Sequence, residues 1–234
     1  YGIYTGYSNL NIIGNKIYNP SQVYYTYGIY LYYYVNYFTT TKSNLIANNE
    51  IISNTRTNTY GIYSNAYIKA NIINNSIYTT GASNARGIYI ANLYNGFNVE
   101  VKNNNVVVTQ PNGYPIYLGA NTSDLSMDYN NYFSSTYIGY YTNNYSSLAT
   151  WKTAIGKDQN STNISPVFIN PNTSLELSHG NGLNCPRNND VLIDIKKNPR
   201  KTTTTMGAYE PKFDLSITKV DKPLHGANLC SFDA

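Results

Sequence analysis

Up to Tyr145 the apolar and polar positions fall into two short phrases that recur. Gly-Ile-Tyr stands at Gly2-Ile3-Tyr4, Gly28-Ile29-Tyr30, Gly61-Ile62-Tyr63 and Gly87-Ile88-Tyr89, with a degenerate copy at Pro115-Ile116-Tyr117. Between the copies come an apolar pair, an Asn-containing bend and another apolar pair. This second phrase reads Ile12-Ile13-Gly14-Asn15-Lys16-Ile17-Tyr18, then Ile46-Ala47-Asn48-Asn49-Glu50-Ile51-Ile52, then Ile72-Ile73-Asn74-Asn75-Ser76-Ile77-Tyr78. Weaker copies follow at Val101–Val107 and Met127–Phe133. Successive Gly-Ile-Tyr copies are 26, 33, 26 and 28 residues apart. The phrases stay fixed while the length varies between them, as insertions do in the loops of a stacked coil. Each unit predicts two or three short strands. Equivalent strands of neighbouring units then lie side by side in parallel sheets, at about 4.8 Å per coil.

Alternation assigns the side chains to faces. The columns Ile12, Ile46, Ile72, Val101, Met127 and Ile17, Ile51, Ile77, Val106, Tyr132 are apolar or aromatic in every copy and are predicted to point inward. The column Ile13, Ala47, Ile73, Lys102, Asp128 is mixed and is predicted to face out or to sit near a corner. Asn recurs at the bend, at Asn15, Asn49, Asn75, Asn104 and Asn130. Asn accepts left-handed backbone, and its amide can both donate to and accept from the same amide one coil away. These five residues are therefore predicted to form an asparagine ladder. Composition agrees with an all-β chain: 12% of the 234 residues are charged and 27 are Tyr, a mix poor for amphipathic helices.

The Asn bend, the Gly-Ile-Tyr strand and the rung of about 26 residues resemble the right-handed parallel β-helices shared by pectate lyases and many bacterial surface proteins. The bias of parallel crossovers also favours that hand. After Tyr145 the repeat stops. Ser147-Leu148-Ala149-Thr150-Trp151-Lys152-Thr153-Ala154 predicts a short helix with a Ser N-cap and Gly156 as its stop. A stretch from Asn198-Pro199-Arg200 to Gly207-Ala208-Tyr209-Glu210 follows. This order resembles the terminal segment of large secreted bacterial β-helix proteins of the type IX-exported kind, in which it finishes the solenoid. The resemblance implies an extracellular or cell-surface location and an export signal beyond this chain. Where those proteins usually carry an acidic residue and Gly before Asn-Pro-Arg, this chain has Lys196-Lys197. The expected organisation is a parallel β-helix over 1–145 and a terminal coil and cap over 146–211. A linker with the first strand of a β-sandwich-like domain is expected over 212–234, joined to further domains.

Charge and chemistry exclude more than they assign. The net charge of +4 is spread along the chain, with no basic stripe of the kind nucleic acid requires. No apolar run is long enough for a membrane span. Cys185 and Cys230 could form one bridge, but the favoured expectation is that they are unpaired or incidental. Before Asp124 the only acidic residues are Glu50 and Glu100, at non-equivalent positions of their coils, so the paired carboxylates of glycoside hydrolysis are missing there. Asp124 and Asp128 could meet Asp158 or Asp190, but turn formation is the favoured role for each. His179 and His225, the only two histidines, supply neither a metal site nor a catalytic constellation. No catalytic residue, metal or cofactor is expected.

The aromatic column remains. With Ile3, Ile29, Ile62, Ile88 and Ile116 inward, Tyr4, Tyr30, Tyr63, Tyr89 and Tyr117 point outward and repeat at the coil spacing. Such a column offers a surface for glycans or for other cell-surface proteins. Mutual packing that stiffens the sheet needs no ligand and is the preferred role. The leading expectation is a non-catalytic module acting as a stalk or adhesive surface. A polysaccharide-binding or polysaccharide-degrading β-helix is the alternative.

Overall fold

The computed structural model describes residues 1–6, 10–19, 24–32, 43–55, 57–66, 69–81, 84–93, 96–119, 121–180 and 182–211. Cys230, His225 and the expected linker and next domain at 212–234 lie outside the described residues. Three parallel sheets wind into a solenoid of about four turns. The first sheet holds Ile3–Gly6, Tyr25–Tyr32, Asn58–Ala66, Asn84–Leu93, Tyr114–Leu118 and Gly139–Tyr141, with Asn143–Tyr145 added antiparallel at its end. The second holds Asn11–Ile13, Asn44–Ala47, Ala70–Ile73, Val99–Lys102 and Leu125–Asp128. The third holds Lys16–Asn19, Glu50–Asn54, Ser76–Thr80, Asn105–Val108 and Asn131–Ser134.

The register follows the two repeated phrases. Ile3, Ile29, Ile62, Ile88 and Ile116 are consecutive partners. So are Ile12, Ile46, Ile72, Val101 and Met127, and likewise Ile17, Ile51, Ile77, Val106 and Tyr132. Together they form one continuous core, buried except at its N-terminal end, where Ile3 is half-buried. The glycine of the phrase has a steric reason. A Cβ on Gly61 would stand 2.5 Å from the Gly87 carbonyl oxygen and 2.5 Å from Ile77 Cγ2, so only hydrogen fits where the first and third sheets converge.

The five ladder asparagines stack at one corner. Each side-chain amide donates to the next side-chain oxygen, from Asn15 to Asn49 and Asn49 to Asn75 at 2.9 Å, and from Asn75 to Asn104 and Asn104 to Asn130 at 3.0 Å. The left-handed backbone is one residue earlier than expected. Positive φ falls on Gly14, Asn48, Asn74, Asn103 and Tyr129, not on the ladder residues. This division explains the doubled Asn of the middle coils, where one residue makes the bend and the other the ladder.

The helix Leu148–Ile155 closes the C-terminal end. Ser147 Oγ accepts from Thr150 N, and Gly156, at φ 64, stops the helix. Trp151 is fully buried under the last coil, against Gly139. Its indole N–H donates to Asp158 Oδ2 at 2.9 Å, while Asn130 and Ser161 donate to Asp158 Oδ1. The Asn ladder thus ends on a buried carboxylate. Burial raises its pKa, and the hydrogen bonds from Ser161, Trp151 and Asn130 oppose that rise.

After Thr162 the chain turns back from the helix. It runs back along the outside of the coils. Asn103, Asn74 and Asn48, the bend residues of the three middle coils, donate side-chain hydrogen bonds to Pro186 O, to Thr205 and Gly207 O, and to Ile193 O respectively. Val191 covers Ala47 and Ile73, and Leu175, Ala208 and Tyr209 cover Ile52. That cover accounts for the mixed outward column. It is apolar at Ala47 and Ile73, which the returning segment buries, and polar at Lys102 and Asp128.

Candidate functional site

The outward face of the first sheet is the one extended surface built from a single residue type. Tyr4, Tyr30, Tyr63, Tyr89 and Tyr117 are in register, as the alternation requires, and the column continues to Tyr140. Ring centroids are 5.4 Å apart for Tyr4 and Tyr30, 4.8 Å for Tyr30 and Tyr63, and 4.3 Å for Tyr117 and Tyr140, all stacked. A second column runs beside it. Tyr1 and Tyr27 stack at 5.1 Å, Tyr27 and Tyr60 at 4.7 Å, and Tyr114 and Tyr137 at 5.3 Å. The columns interlock edge to face, at 5.0 Å between Tyr27 and Tyr30 and 5.4 Å between Tyr114 and Tyr117. Sequence reasoning keyed on Gly-Ile-Tyr missed this second column, although its signal stands one residue upstream in Tyr1, Tyr27, Tyr60 and Tyr114.

Arg86 takes the place of the missing ring between Tyr60 and Tyr114. Its guanidinium carbon lies 4.2 Å from the Tyr117 ring centre, 5.0 Å from that of Tyr89 and 5.4 Å from that of Tyr60. Nη1 donates to the Tyr60 hydroxyl at 3.0 Å. Around it the stacking changes. Tyr63 meets Tyr89, and Tyr89 meets Tyr117, edge to face at 4.9 and 4.8 Å. Cation–π contact is a sufficient reason for an Arg in this slot.

Crowding has an electrostatic consequence. Burial first, and the neighbouring phenols Tyr60, Tyr1, Tyr30 and Tyr25 after it, push the Tyr27 hydroxyl up to about 12. Tyr63 is raised for the same reasons, burial leading. Burial also raises Tyr89 and Tyr117, and the positive charge of Arg86 works against the rise at both.

Two pairs of carboxylates share a surface depression, Glu100 with Asp124 and Asp128 with the buried Asp158, whose pKa the Asp128 charge helps to raise after burial itself. Glu50 is buried and accepts from Leu175 N and the Tyr209 hydroxyl, both at 2.6 Å, with Lys16 Nζ at 3.5 Å. Asp124 accepts from Gly96 N, and Asp128 from the backbone of Tyr129 and the backbone and side chain of Asn160. Asp190 is exposed in a turn with Asn188. His179 is exposed. Among the described residues no three His, Cys, Asp or Glu side chains form a metal-binding group. Also among them, no helix is long and apolar enough to cross a membrane. Cys185 is buried and free, and burial pushes its thiol up to about 12. Two depressions of the described residues lie away from the Tyr face. One of about 360 Å³ is lined by Lys16, Tyr18, Glu50 and Thr173, and one of about 290 Å³ by Glu100, Ser123 and Asp124.

Comparison of the chain with protein-family models, with curated proteins and with solved structures returned no match.

Proposed function

We propose that this chain is a non-catalytic solenoid module of a large secreted or cell-surface bacterial protein, a stalk that carries an interaction surface. The observation behind this reading is how the carboxylates are used. Asp158 anchors Trp151 and the ladder, Glu50 holds Leu175 and Tyr209, Asp194 closes a turn with Asn198, and Glu210 pairs with Arg200. Glu100 and Glu176 each pair with a lysine. Acids committed to structure are poor candidates for the paired acid and base that glycosidic cleavage needs. An unbroken stack of coils with ladders inside and out suits a load-bearing spacer. Export by a type IX system belongs to the same proposal.

The polysaccharide-degrading reading has two observations in its favour, the depression shared by Glu100 and Asp124 and the one shared by Asp128 and Asp158. Acidic and neutral polysaccharides incubated with the chain, with and without calcium, decide between the two. No new reducing ends and no unsaturated product are expected. Product that disappears on substituting Asp124 or Asp128 would establish the rival reading.

A further inference from the structure

The seven strands of the Tyr-paved sheet contain one charged residue, Arg86, and no carboxylate. Among the described residues no acidic group lies within ion-pair distance of Arg86. Its Nε is buried without a hydrogen-bond partner. Three aromatic rings surround the guanidinium, so part of its hydration is lost without a compensating negative charge. The contrast with Arg200 is direct. Arg86 is half-buried and Arg200 fully buried, and both have an unpartnered Nε, but the Arg200 guanidinium meets Glu210 at 2.7 Å and four oxygens of Asn48, Thr204, Thr205 and Gly207. A partly desolvated cation set in a neutral aromatic field attracts an anion from outside.

The surroundings of Arg86 narrow the kind of anion. Aromatic residues and Arg are the side chains that dominate binding hot spots, and Tyr offers large, rigid, amphipathic contact at small entropic cost. The hydroxyl-bearing columns repeat once per coil along the solenoid axis, with ring centres 4.3 to 5.4 Å apart along the Tyr4–Tyr140 column. A row of identical hydrogen-bonding groups matches a ligand that is itself a repeating polyol. It gives no advantage to a peptide of varied side chains. Ring surface is largely spent on neighbouring rings, so contact runs through hydroxyls and ring edges.

We infer that the Tyr-paved face binds an extended anionic polysaccharide, with a carboxylate or sulfate of the chain seated on Arg86 and its hydroxyls on the flanking Tyr rows. This rests on the reading of the module as a non-catalytic interaction surface. The phenols around Arg86 can donate to the anion, and the length of the face lets several weak contacts add along one chain.

The test is binding of polygalacturonate to the immobilised 234-residue chain. Carboxyl-reduced polygalacturonate, dextran, a sulfated dextran and poly-L-glutamate run in parallel, and the supernatants are assayed for cleavage products. Retention of polygalacturonate, of sulfated dextran or of both is expected, and it should weaken as salt is raised. The two anions show which group the seat accepts. Carboxyl reduction, and Arg86→Gln, should each weaken retention of polygalacturonate about tenfold or more, the scale of one charge-assisted hydrogen bond. Arg86→Lys keeps the charge but not the planar fork and should fall between parent and Arg86→Gln. Lys197→Gln, remote from this face, should leave binding unchanged. Failure of the parent to hold either anion, equal retention of the carboxyl-reduced chain or dextran, or equal binding by a folded Arg86→Gln protein would overturn the inference. Equal retention of poly-L-glutamate would show a bare charge contact and overturn the polysaccharide assignment. If Arg86→Gln lowers the melting transition, the Arg86→Lys variant and the carboxyl-reduced ligand carry the decision. Cleavage products would sink the non-catalytic reading, whereas neither cleavage nor binding would sink the anion seat alone.

Discussion

Two long surfaces of the same solenoid are finished in opposite ways. On the bend side the chain's own segment 163–211 returns over the coils and accepts hydrogen bonds from the bend residues Asn48, Asn74 and Asn103. On the Tyr side the rings of neighbouring coils pack on one another. The covered side uses contacts between residues far apart in sequence, such as Leu175 N on Glu50 and Ala208 N on Ser76 Oγ. The bare side uses the same residue one coil away. Covering a flank demands buried ions and specific hydrogen bonds, whereas repeating one aromatic residue finishes a face with no foreign partner.

That contrast sets the largest expected effect. Arg200→Ala would leave Glu210 without its cation and Asn48 Oδ1 without its donor, and would remove one of two donors from the Thr205 and Gly207 carbonyls, in a buried site. Removing one member of a buried charged pair costs about 3 to 5 kcal/mol. Chemical denaturation should show that loss in the 234-residue chain. A change below about 1 kcal/mol would mean that the returning segment is fastened by apolar contacts alone. Next in size is the ladder, which lies beneath the bends. Asn75→Ala removes a donor to Asn104 Oδ1 and to the Ile46 carbonyl, and an acceptor for the amide of Asn49. The expected cost is about 1 to 3 kcal/mol, and an unchanged melting transition would count against the ladder as a source of stability.

The two sides also differ in how much of them could be read in the sequence. The inward columns, the Asn ladder and the Trp151 helix were legible because each repeats with the coil or carries a local cap signal. The second Tyr column was present in Tyr27, Tyr60 and Tyr114, but Arg86 interrupts it and the Gly-Ile-Tyr phrase drew the reading one residue downstream. The return of 163–211 was not legible. Its strands Phe168–Asn170 and Ser174–Leu177 pair with each other, and Ser174 and Leu175 reach Glu50, over a hundred residues away in the repeats. No periodicity marks such contacts. Only the doubled Asn at Asn48-Asn49, Asn74-Asn75 and Asn103-Asn104 hinted that the bends had a second task. The Gly that resembling proteins carry before Asn-Pro-Arg marks a real turn, since Lys197 occupies that place at φ 67.

The smallest expected effect tests the bare side by itself. Replacing Tyr63 and Tyr89 together by Leu keeps apolar cover but removes aromatic pairs, each worth about 0.5 to 1 kcal/mol, so a loss of about 1 to 2 kcal/mol is expected. Dextran should bind neither protein. A specific, saturable neutral glycan complex of the parent that the double variant loses would show that packing is not what these rings are for. Alkali separates the roles further. The hydroxyls of Tyr27 and Tyr63 have folded pKa values above the ordinary phenol value of about 10. Above that pH the unfolded chain loses these protons first, so the folded state binds more protons and its stability falls as pH rises. The stabilisation is complete below about pH 10 and is lost as pH climbs through the folded value, near 12 for Tyr27. The melting temperature of the parent should therefore drop more steeply between pH 10 and 12 than that of the Leu variant, which has two fewer crowded phenols. Parallel curves would show that the rings at 63 and 89 are not electrostatically crowded, and the bare face would then be held by the sheet beneath it.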